Sequence, residues 1–183
     1  LWGGETRLTL DIFRDMLGAL GIALIFIYLL LVGYYSSFTL SLVAMSAIPL
    51  ALIGVFPGHW VINEPFTSTS MIGIIALAGI VVRNSLLIID FVQDNVKNGL
   101  SIRDAVRDAG AVRLRPILLT ALAIILGSAV MLSDPVFGGL AISLISGTLV
   151  STILTLVVIP MLLYSNLNRQ EKRKVRLEKR HEV

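Results

Sequence analysis

The stretch Ser70–Gln93, SMIGIIALAGIVVRNSLLIIDFVQ, decides the fold. It is almost wholly apolar. At about 1.5 Å rise per residue, roughly 20 residues cross the hydrocarbon core of a bilayer, so this stretch is long enough to span. Arg83 stands near its middle. An arginine at that depth costs at least ~2.5 kcal/mol, and ionisable residues there usually face a partner inside a bundle, often on an ion or proton path.

Four more apolar stretches flank it, at about 16–35, 40–57, 114–133 and 140–165. The 183 residues are 56% hydrophobic and 15% charged, with a mean hydropathy of +0.88. A soluble domain holds about 45–50% apolar and ~25% charged residues. Alternating barrel strands are absent, so helices are the spanning form. The expected fold is an all-α integral membrane bundle of five transmembrane helices. Residues 1–15 are expected as a periplasmic lead-in and 166–183 as a basic cytoplasmic helix or tail. The first residue is not Met, and LWGGET reads as the middle of a longer chain.

The connections carry signals of their own. Ser36–Thr39 reads as a tight turn, and Ser68-Thr69-Ser70 offers N-caps for the third span. Residues 101–110, SIRDAVRDAG, read as an amphipathic surface helix capped by Ser101, with Asp104 three residues on. Pro116 suits a first helical turn, and Asp134–Gly139 is a Pro/Gly turn.

Charge sets the orientation. Of 15 Lys and Arg, five lie between Asp94 and Arg115 and seven lie beyond Asn166. Five alternating spans put both segments on one side, which the positive-inside rule makes cytoplasmic. The loops 58–69 and 134–139 carry neither Lys nor Arg. The expected topology is therefore N-out, C-in. The basic tail reads as an anchor for anionic membrane lipids rather than a nucleic-acid site.

Three constellations could carry chemistry. Arg83, Leu87, Asp90 and Asp94 follow helical spacing, with Ala76 and Gly79 continuing the face and Asn84 and Ser85 beside it. This is either an ion or proton relay seam or a structural counter-charge. Arginine does not release protons in a working cycle, so a carboxylate partner has to titrate. No midplane acid is present here, because Asp90 lies toward the cytoplasmic end. Arg113, Thr120, Gly127 and Asp134 recur every seven residues on the fourth span. There Thr120 either joins a polar seam or bonds its own backbone. For Arg115 interfacial snorkelling is sufficient. Ser143, Ser146, Gly147, Ser151, Thr152 and Thr155 form a small polar stripe that favours close packing. There is no cysteine, and His59 and His181 are isolated, so no metal or cofactor is expected. Phosphate loops, nucleophile triads and zinc spacings are missing, and an enzyme is not expected.

GIIALAGIVVRNSLLIIDF (73–91), GLSIRDAVRDAGAVRLRPILLTALAIILG (99–127) and GLAISLISGTLVSTILTLVVIPMLLY (139–164) resemble the C-terminal membrane region of resistance-nodulation-division (RND) efflux permeases. The short SFTLSLVAMSAIPLALIGV (37–55) resembles it too. The resemblance implies helices eight to twelve of twelve in a proton-driven exporter of the bacterial inner membrane. It also implies a homotrimer working with a periplasmic adaptor and an outer-membrane channel. It places Arg83 at the basic relay position of the tenth helix, followed by Asn84. Asp90 falls where the family often has an acid, and Arg113 and Thr120 fall at the eleventh-helix relay positions. The fourth-helix acids and the periplasmic domains of such permeases are not in this sequence, so the chain is expected to need the missing N-terminal half to transport. The alternative is a free-standing scaffold or accessory subunit of a larger membrane complex.

Overall fold

The computed structural model describes residues 2–181. The side chains of Trp2 and His181 lie outside that description, as do Leu1, Glu182 and Val183. Among the described residues six helices follow one another: α1 (Trp2–Tyr35), α2 (Phe38–Met45), α3 (Ala47–Ile62), α4 (Ser68–Lys97), α5 (Ile102–Ala129) and α6 (Gly138–His181). With α2 and α3 taken as one unit, five helical segments are long and apolar enough to cross a membrane. The all-α membrane fold expected from the sequence is the fold observed.

Several elements differ in detail from the expectation. The lead-in 1–15 is helical from Trp2 and continuous with the first span. The second span is divided at Ser46, whose backbone N–H is already bonded to Leu42 and Val43. The break lies one turn before Pro49, which has no N–H to donate. Residues 102–110 do not form a separate surface helix. They are the first turns of α5, with Ala105 and Ala109 buried. Ser101 does cap it, its hydroxyl accepting from the Asp104 N–H at 3.2 Å and donating to Oδ2 of Asp104 at 2.7 Å. Pro116 therefore stands in the interior of α5 rather than in its first turn. Because α5 ends at Ala129, Asp134 leaves the Arg113–Thr120–Gly127 face. Its Oδ1 instead accepts from the N–H groups of Val136 and Phe137, just ahead of α6.

The core forms around α6, which packs along α3, α4 and α5. Glycines make these approaches possible. A Cβ on Gly54 would lie 2.6 Å from Cβ of Val150 and 2.8 Å from the Ser146 carbonyl. A Cβ on Gly147 would collide with Leu77. The small polar stripe of α6 is thus a packing face, with Ser143, Ser151, Thr152 and Thr155 buried. Close approach of small residues is how helices gain contact where lipid gives no hydrophobic drive.

The first helix is the loosest. It meets the bundle along one apolar stripe, through Met16, Leu20, Leu24, Ile27 and the buried Leu31, and makes specific contacts at two places. Near one end Phe13 stacks on Phe66 of the α3–α4 loop, with ring centroids 6.0 Å apart. At the other end Tyr34 and Tyr35 reach α4. Arg103 and Arg107 share a cleft with Pro160 and Tyr164, so the basic start of α5 lies beside the stretch of α6 that leads into its basic end.

Candidate functional site

Arg83 is the sixteenth residue of the 30-residue α4, about 22 Å along the axis from its start. It is exposed, and among the described residues its guanidinium has no hydrogen bond or ion pair. Ile72, Ala76 and Gly79 are exposed on the same face, and a Cβ on Gly79 would meet nothing within 4 Å. The opposite side of α4, including Leu77, Val81, Ile88 and Val92, is buried. The small-residue face read from the sequence is therefore present, and no described helix covers it.

The remaining predicted residues do not gather around Arg83. Asn84 is one position on, buried at 7% exposure and without a hydrogen-bond partner among the described residues. Asp90 is half-buried. Its Oδ1 accepts from the Tyr35 hydroxyl at 2.9 Å and its Oδ2 from Tyr34 at 3.3 Å. These groups open onto a cleft of about 550 Å³, shared with Gln93, Asp94, Lys97 and Leu167. Arg113 lies with its guanidinium carbon 5.1 Å from the centroid of Phe91. Its Nε is buried and unbonded. Thr120 donates to the carbonyl of Pro116 at 2.9 Å, the backbone-bonding alternative of the two weighed above.

Sequence reasoning missed the partners. Tyr34 and Tyr35 stand at the end of a span, where aromatics are common and carry no signal of a partner. Phe91 gave no signal as a seat for Arg113. His59, read as isolated, is 5% exposed, and both of its ring nitrogens are engaged. Thr67, rather than Ser68–Ser70, is the N-cap of α4, with Ser70 closing the capping box. Among the described residues no group of three His, Cys, Asp or Glu is placed to hold a metal ion.

Ionisable residues at such a depth in a membrane helix usually face a partner, and among the described residues Arg83 has none. The chain belongs to the AcrB/AcrD/AcrF family, whose family model matches residues 1–167, and with it to the RND efflux permeases. It is 35% identical over 179 residues to the swarming motility protein SwrC of Bacillus subtilis, covering 94% of this chain and 17% of that protein. It is 33% identical to the cobalt-zinc-cadmium resistance protein CzcA of Cupriavidus metallidurans, covering 88% and 16%. To the multidrug resistance protein MdtC of Yersinia enterocolitica it is 30% identical, again over 88% and 16%. The crystal structure of a heavy metal efflux pump superposes with a TM-score of 0.76 at 27% identity, covering 86% of this chain and 16% of that one. The chain thus spans about one sixth of the length of the proteins it matches.

Proposed function

We propose that these helices are the C-terminal membrane portion of a proton-driven RND efflux permease and carry part of its proton relay. The observation that supports this is the uncovered face Ile72–Ala76–Gly79–Arg83. Hydrocarbon is a poor neighbour for a guanidinium, whereas a helix bearing carboxylates fits it. Small residues at positions 76 and 79 let that helix come close. Protonation of such a carboxylate removes the charge that holds Arg83, which then reorients. Arg83 itself stays charged throughout. Asn84, the next residue, is turned into the bundle and lies behind Arg83 rather than on the uncovered face. Asp90, Arg113 and Thr120 act further toward the end of α4 where the basic residues collect.

In this reading the basic segments face the cytoplasm of a bacterial inner membrane. The full permease works as a homotrimer with a periplasmic adaptor and an outer-membrane channel. The segment alone does not transport. Reconstituted alone in liposomes with an imposed proton gradient, it is expected to show no coupled efflux, and robust efflux would overturn the proposal. In the full-length permease, Arg83→Met is expected to abolish proton-coupled efflux with assembly intact. Retained efflux in that variant would reduce Arg83 to a structural charge.

A further inference from the structure

At the end of the bundle away from Asp90, a chain of hydrogen-bonding side chains runs inward to a buried imidazole. His59 lies in the last turn of α3. Its Nδ1 is 3.1 Å from the carbonyl of Val55. A carbonyl only accepts, so Nδ1 carries the proton and, in the neutral ring, Nε2 is bare. Oγ of Ser70 lies 2.8 Å from Nε2 and donates to it. The same Ser70 oxygen accepts from the Thr67 N–H at 3.1 Å and lies 3.2 Å from Oγ1 of Thr67. Oγ1 of Thr67 is in turn 2.8 Å from Oγ1 of Thr69. Thr67 is exposed, whereas Ser70 and His59 are buried.

We propose that His59 is a proton-binding site, loaded from the aqueous side through the hydroxyls of Thr69, Thr67 and Ser70. A proton arriving from water on Thr69 Oγ1 releases the Thr69 hydroxyl proton to Thr67, and Thr67 releases its own to Ser70, its new hydroxyl proton being left on the Thr69 side. Ser70 passes its own proton to Nε2. Each hydroxyl ends with one proton, and the imidazole becomes an imidazolium. The network is satisfied on both sides of this step. Before it, Ser70 donates to Nε2 and accepts from Thr67. After it, Nε2–H donates to Ser70, whose hydroxyl donates back to Thr67, while the Thr67 N–H contact is unchanged. A structure that can reverse its hydrogen bonds without orphaning any of them suits a site that takes and returns a proton.

An aromatic ring and two carboxylates lie on this side of the bundle. The Phe66 ring centroid is 5.3 Å from that of His59, within the range of cation–π attraction. Glu64 lines a cleft of about 370 Å³ with His59, Trp60, Asn63 and Pro65. Asp134, in the α5–α6 turn, shares a neighbouring cleft with Glu64 and Thr67. From α1 the closest approach is Phe13 against Phe66, flanked by the exposed Asp11, Arg14 and Asp15. On α4 no charged residue precedes Arg83, and on α6 none precedes Arg169. The site also ties three helices together, because Ser143 of α6 donates to the Ser70 carbonyl at 3.0 Å. It lies about 20 Å along α4 from Arg83, so it stands or falls independently of the relay proposed above.

The test is ring-nitrogen NMR of the histidine-labelled chain in lipid bilayers, with His181→Asn leaving His59 as the one histidine. Followed from alkaline to acid conditions over the range in which the chain stays folded, the ring is expected to pass from the Nδ1–H tautomer to the form that also carries a proton on Nε2. Ser70→Ala is expected to slow exchange of the Nε2 proton with water by roughly tenfold or more. Thr67→Val interrupts the same path one step further out and should slow it in the same direction, so either variant that folds serves. The proposal is overturned if His59 stays neutral over the whole range, or if Nε2 carries the proton at the alkaline end. Unchanged exchange in a folded variant overturns it as well, since water would then be reaching the ring directly through the Trp60–Glu64 cleft.

Discussion

The hydroxyl of Tyr35, at the last residue of α1, donates a 2.9 Å hydrogen bond to Asp90 of α4, 55 positions away. Tyr34 packs edge-on against Tyr35 with centroids 4.9 Å apart and reaches the other carboxylate oxygen at 3.3 Å. Little of α1 is buried, and beside its apolar stripe ending at Leu31 this bond and the Phe13–Phe66 stack tie it to the rest of the bundle. A hydrogen bond to a charged acceptor contributes about 1.5–3 kcal/mol when well formed. Tyr35→Phe is therefore expected to cost about 1–2 kcal/mol, allowing for the half-exposed acceptor. Tyr34→Phe should cost clearly less, because its bond is longer and exposed. Unfolding of both variants from mixed micelles tests this, and equal losses would contradict it.

Glycines 54 and 79 should respond oppositely to the same substitution. Gly54→Ala pushes a methyl against Val150 and the Ser146 backbone, neither of which can swing aside. Overpacking of this kind costs about 1–3 kcal/mol. Gly79→Ala meets open space in this chain and gains up to about 1 kcal/mol of helix propensity. In a full permease, where a second helix is proposed to cover this face, Gly79→Leu is expected to depress transport. Parallel stability and efflux assays would separate the two effects.

Arg113 and Phe91 join α5 to α4. A double-mutant cycle with Arg113→Gln and Phe91→Leu is expected to give a coupling of about 0.5–2 kcal/mol, the range for a partly desolvated cation–π pair. Coupling near zero would mean that Arg113 is held by its alkyl stem alone.

Asp134 controls the entry to α6. The N–H groups of Phe137 and Val136 bond its carboxylate and hold its pKa below the ordinary 3.8. A carboxyl whose folded pKa is depressed contributes stability above its unfolded value and loses it as the pH falls through the folded one. Thermal unfolding should therefore show an acid-side loss beginning near pH 4 that is reduced in Asp134→Asn. An identical acid limb in the two proteins would show that the turn is held without the carboxylate.

Much of the architecture was legible because it is written in one dimension. A run of apolar residues about 20 long spans whatever its neighbours do, which is why Ser70–Gln93 read correctly. Ser101 and Asp104 are three residues apart, so their cap depends only on the local chain. The separate surface helix at 101–110 failed for a related reason. Nothing between Gly110 and Pro116 stops a helix from continuing, since a proline breaks only the bond to the carbonyl four residues back.

Sequence alone determined the number of spans, the clustering of basic residues and the family motifs around Arg83, Arg113 and Thr120. Only the tertiary structure decided which way each helix is turned. That rotation exposes Arg83 on an uncovered face, points Asp90 at two tyrosines from α1, and brings His59 onto Ser70. The physical reason is that a helix fixes the spacing of its own side chains but not its roll. Roll is set by packing against other helices, here by small residues such as Gly54, Gly73 and Gly147 that let α6 come close.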